Sequence, residues 1–106
     1  MQIIRMEEIE GKENKRGVTA KQLLKHEHVT LMNIILKPGD QVPEHSVPVD
    51  VFFYVVAGKG TIKIGEEEAQ VKEKEIIVCP PKTVMALRAD QGEDFVVLNV
   101  KTPSLN

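Results

Sequence analysis

Residues 38–60 read PGDQVPEHSVPVDVFFYVVAGKG, and the fold turns on this stretch. It opens on Lys37-Pro38-Gly39-Asp40, a strong turn signal in which proline presets φ and glycine and aspartate tolerate tight backbone geometry. Val49–Ala57 (VDVFFYVVA) follows, rich in β-branched and aromatic residues and therefore a strand. It is too apolar for one wet and one dry face, so both faces are expected to be covered. Gly58-Lys59-Gly60 is expected to turn the chain into Thr61–Ile64 (TIKI), which alternates cleanly between apolar and polar.

Outward from there the punctuation stays regular. Upstream, Val29–Leu36 (VTLMNIIL) is another apolar strand. Downstream come a polar strand at Glu68–Lys72, then Ile76–Cys79 closed by Pro80-Pro81, Val84–Ala89, and Phe95–Val100 (FVVLNV). Gly11–Arg16 reads as an exposed turn, and Thr19–Lys25 as either one helical turn or an edge strand. Some seven short strands with no long amphipathic helix indicate an all-β barrel or sandwich. A parallel sheet would need helical crossovers for which there is no room. Closure into a small antiparallel β-barrel would also hide the edges of such apolar strands. At 106 residues the chain has room for one core, so it is read as a single domain over 1–106, with a lead at 1–26 and the barrel at 27–101.

Composition removes several classes of function. Apolar residues make up 42% and charged residues 28%, with a net charge of −2, which is globular rather than disordered and offers no basic surface for nucleic acid. Lysines and glutamates interleave, as in Lys72-Glu73-Lys74-Glu75, so the charge reads as a solvated face. Cys79 is the only cysteine, which leaves no intrachain disulfide. No apolar run is long enough for a signal peptide or a membrane span. The expectation is a cytoplasmic protein without nucleic-acid or membrane partners, and with a small core that favours a homodimer.

The same stretch that decides the fold resembles the first motif of the cupin superfamily: a Gly, five residues, His-x-His, three or four residues, a Glu, six residues and a Gly. Gly39, His45 and Gly58 fall on that spacing, among Pro38, Pro43 and Tyr54-Val55-Val56. The second motif is a Gly, five residues, Pro-x-Gly, two residues, a His, three residues and an Asn. Only Pro80 matches it. The resemblance covers roughly Val29–Val100 and implies a jelly-roll, or double-stranded β-helix, of the small single-domain kind.

It also implies a divalent metal held by two His and a Glu of the first motif and a His of the second. Carried over by position, the first His is His45, the second is Val47, the Glu is Val51 and the last His is Met85. One donor of four survives. Valines cannot ligate and a thioether suits only soft metals, so no cofactor is expected and the metal centre is read as degenerate. With Val51 turned inward, strand alternation puts Phe53 and Val55 inward and Phe52 and Tyr54 outward. The expected pocket is therefore His45, Val47, Val51, Phe53 and Met85, with His45 the one candidate acid or base. A divalent transition metal on an unusual ligand set remains the alternative. Its donors would come from His26 and His28, which would share one face of a strand, and from Asp50 and Cys79. Cys79 otherwise reads as a small buried hydrophobe.

Three functions fit. The first is a small-molecule-binding barrel without metal, with a small organic molecule as its partner and His45 fixing orientation. The second is an enzyme: a metal-dependent oxygenase or isomerase, or a metal-free isomerase using His45. The third is a filled barrel that serves as a structural or interaction module.

Overall fold

The computed structural model describes residues 1–105. Nine strands follow one 3-10 turn at Met6–Glu8: β1 (Lys12–Glu13), β2 (Thr19–His26), β3 (Val29–Leu36), β4 (Gln41–His45), β5 (Asp50–Ile64), β6 (Glu67–Lys72), β7 (Ile76–Cys79), β8 (Met85–Ala89) and β9 (Phe95–Thr102). Every strand pairing is antiparallel. The first half of β5 lies between β9 and β7 in a sheet ordered β1-β2-β3-β9-β5-β7. Its second half lies between β8 and β6 in a sheet ordered β4-β8-β5-β6.

One strand thus serves both sheets, and that corrects the reading of Gly58-Lys59-Gly60 as a turn. The chain does not reverse there. It bends from one sheet into the other, with a register irregularity between Val55 and Ala57. Gly58 makes the bend possible, because its φ of 74° lies in the left-handed region and any Cβ would collide with the Asp94 carbonyl oxygen. Two further boundaries move. Thr19–His26 is a full strand laid along β3, and Val18 and Leu23 are buried, so the sheet begins well before residue 27. Gln41–His45, left without a structure by the sequence, pairs with β8.

The core sits between the sheets. Its members include Leu36, Val51, Phe53, Val55, Ile62, Met85, Leu87, Phe95 and Val97, drawn from alternate positions as the period of two requires. The outer face of β5 is barer than its composition suggests: Phe52 is 39% exposed and Val56 36%, beside Ile76 at 63% and Val78 at 66% on β7. Phe52 stands opposite Val78, and Tyr54 opposite Ile76. The apolar run therefore has only one covered face within a single chain.

The loops that carry the two motif regions are tied by backbone hydrogen bonds. Lys82 N–H donates to the Val47 carbonyl (2.8 Å) and Lys74 N–H to the Val55 carbonyl (2.9 Å). Lys74 and Lys82 are the non-glycine residues with positive φ, at 71° and 60°. They stand at the two glycine positions of the second motif. The backbone conformation that motif calls for persists here without its glycines.

Candidate functional site

The positions expected to line a pocket come together, but as packing. Val51 is 2% exposed, and Phe53 and Met85 are fully buried, so no water-sized space touches Phe53 or Met85. Val47 is half-buried against the same core. His45 is exposed, opposite Met85 across an irregular register between Val42 and His45. Its Nδ1–H donates to the Pro43 carbonyl at 3.0 Å, which leaves Nε2 facing solvent. Of these five residues, Val51, Phe53 and Met85 thus belong to the core cluster, Val47 packs against it, and His45 stands exposed.

A metal does not fit these residues. Among the described residues no group of three or more His, Cys, Asp or Glu side chains is placed to hold an ion. His26 ends β2 while His28 sits in the turn before β3, so they do not share a strand face as expected. Their rings meet edge-on at 6.0 Å, and His26 Nδ1 accepts the His28 backbone N–H. Asp50 is exposed. Cys79 is buried, its thiol directed at the carbonyls of Pro80 and Thr83, and burial pushes its pKa up.

Two other features of the interior stand out. The first is a seam. Strands β6 and β7 each pair with β5 and with no other strand among the described residues, so no hydrogen bonds close the barrel between them. An apolar cavity of about 250 Å³ opens there, lined by Ile62, Ile64, Ala69, Val71, Ile77 and Val78, with Glu67 also lining it. The second is polar. The inward positions of β9 run Phe95, Val97, Asn99, Lys101. Lys101 stands opposite Val51, which in turn faces Cys79, and opposite Thr30 on its other side. Its Nζ donates to Asn99 Oδ1 at 2.9 Å, and Asn99 is buried. Burial pushes the Lys101 pKa below its ordinary value. The alternation that placed Phe53 inward on β5 would have placed Lys101 inward on β9, had the strand been followed past Val100.

A larger groove of about 340 Å³ crosses the outer face of the four-stranded sheet. Its charges are already paired, Lys63 with Glu44 (2.9 Å) and Arg88 with Glu68 (3.0 Å). Such exposed pairs add little to stability and leave no unmatched charge for a ligand.

Comparison with known proteins agrees with this geometry. Residues 32–101 match the family model described as "Cupin domain". An uncharacterised protein of Methanocaldococcus jannaschii is 25% identical over 95 residues, spanning 89% of this chain and 82% of that one. Among solved structures, KdgF from a Halomonas species superposes with a TM-score of 0.91 at 17% identity, over 100% of this chain and 96% of that one. An RmlC-like cupin family protein from Methanocaldococcus jannaschii, with a double-stranded β-helix fold, superposes at 0.76 with 24% identity, over 90% and 88%. Identities this low carry the fold alone, but the family match covers most of the chain and includes the region of both motifs. The chain belongs to the cupin family.

Proposed function

We propose that this cupin binds a small organic molecule without a transition metal, and that the molecule enters the seam between β6 and β7. The observation that carries this reading is the apolar cavity of about 250 Å³ at the seam between β6 and β7, which do not pair with each other. Its size sits below the usual ~300–1,000 Å³ of drug-sized sites, so the ligand is small. Its lining of Ile62, Ile64, Val71 and Ile77 selects an apolar body. The donor set argues against metal assistance, since Val51 and Met85 occupy ligand positions and His45 is exposed.

Screening small aliphatic and aromatic compounds by ligand-observed NMR tests this. Binding is expected, together with its loss in Ala69→Trp, which puts an indole into the seam from an exposed position. Binding that survives the plug, or a screen with no binder, overturns the reading.

A second reading has its own support. Val51, Phe53 and Met85 fill the interior, and the outer face of β5 and β7 presents Phe52, Tyr54, Ile76 and Val78 together. A filled barrel whose work is self-association through this face predicts a homodimer. Sedimentation equilibrium of the wild type against Phe52→Lys separates the outcomes. A dimer that the charge dissociates supports association, and a monomeric wild type refutes it.

A further inference from the structure

The interior of the barrel holds one cation that the seam does not use. Lys101 lies on the inward face of β9 and is half-buried. An ammonium has three donors, and the protein supplies Lys101 with one acceptor, the neutral carboxamide oxygen of Asn99. The ion pairs of the described residues are His28–Glu27, Lys59–Glu93, Lys63–Glu44 and Arg88–Glu68; none reaches Lys101. Its row across the sheet is Lys25, Thr30, Val51 and Cys79: an exposed ammonium at the β2 end, a hydroxyl, an aliphatic chain and a buried thiol. The Thr30 hydroxyl is engaged with Ser104 at 2.6 Å.

Taking a charge out of water without a counter-charge is unfavourable. An arrangement that holds it there is complete once an anion arrives. Asn99 sets the direction of the ammonium, since its buried carboxamide oxygen accepts from Lys101 Nζ. We propose that Lys101, held by Asn99, anchors a second interior site that takes the carboxylate of a small organic acid. Lys101 is the one half-buried ammonium of its row, Lys25 at the β2 end being exposed, and a single ammonium suits a monoanion better than a phosphate, which draws clustered lysines, arginines or a helix N-terminus. Burial lowers the affinity of the amine for its proton, and a bound carboxylate raises it again, so binding and protonation are linked.

The test is an NMR titration of the intact chain with acetate, propionate and benzoate, each beside its neutral amide. The Lys101 13Cε resonance is followed through a pH series. Carboxylates are expected to shift Lys101 and raise its apparent pKa, with the amides weaker by about tenfold or more, the worth of one charge-assisted hydrogen bond. Lys101→Met keeps the length of the side chain and removes the charge, and it is expected to lose the preference for the acid. Ala69→Trp is expected to leave it intact, so a failure here is distinguishable from a failure of the seam. Equal binding of acids and amides, unchanged binding in Lys101→Met, or no response of Lys101 to any of the three acids overturns the proposal. The comparison of acids with amides in the wild type stands even if the variant does not fold.

Discussion

Replacing Met85 with alanine measures how completely the barrel is filled. Met85 is fully buried within the core cluster, paired across the sheet with Ile64 and His45. Deleting three heavy atoms from a packed interior loses their transfer free energy and leaves a cavity, together about 3 kcal/mol for methionine to alanine. In a domain of this size that lowers Tm by about 15 °C. Were Met85 the lining of an open pocket, water would already touch it, no cavity would form, and the loss would fall to roughly 1 kcal/mol. Urea denaturation followed by far-UV circular dichroism gives the difference directly, with an unchanged m-value as the check that the unfolded state is the same. A loss near 1 kcal/mol, or none, would refute the argument that this position is core.

Two further outcomes follow from the geometry. Lys74→Gly and Lys82→Gly should each stabilise by roughly 0.5–1 kcal/mol, because left-handed backbone costs an L-residue about 1–2 kcal/mol while glycine returns part of that as unfolded-state freedom; thermal melts should rise by a few degrees, and a fall would contradict the assignment of these loops to the second motif. The stability of the wild type relative to Lys101→Met should increase with pH. The Lys101 pKa is lower folded than its ordinary 10.5, so the unfolded chain binds more protons in the interval between the two, and stability rises across it and is complete above 10.5. The other titratable groups on that row, Lys25 and Cys79, are common to both proteins and cancel in the difference, which chemical denaturation across a pH series reads; a flat difference contradicts the inward placement of the ammonium.

How much of this was legible in the sequence depended on whether a local rule governed the outcome. Period-two alternation put Val51, Phe53 and Val55 inward and left Phe52 and Tyr54 on the outer side, and β3 and β7 fall on the residues expected for them. Gly58-Lys59-Gly60 misled because glycine marks a sharp bend as well as a reversal. Only the pairing of β5 with both β9 and β8 tells the two apart, and that is a tertiary fact. His45 is exposed at the end of β4 although its register partner is the buried Met85. Motif spacing has no access to how far a strand end is covered. Lys101 was legible and overlooked: a charge at the end of an apolar run reads as a boundary, yet it continues the inward series from Phe95.

The claim on which the account rests is that the barrel works without a transition metal, and metal content tests it most directly. Untagged protein is incubated with Mn, Fe, Ni, Cu and Zn in turn, dialysed, and analysed for each element per chain. The account predicts values near zero in every case, because Val51 and Met85 offer no suitable donor to a borderline metal and His45 stands outside the core. Retention of any one of them near one ion per chain would contradict it, and would mean that donors separated in this structure converge when a metal is present.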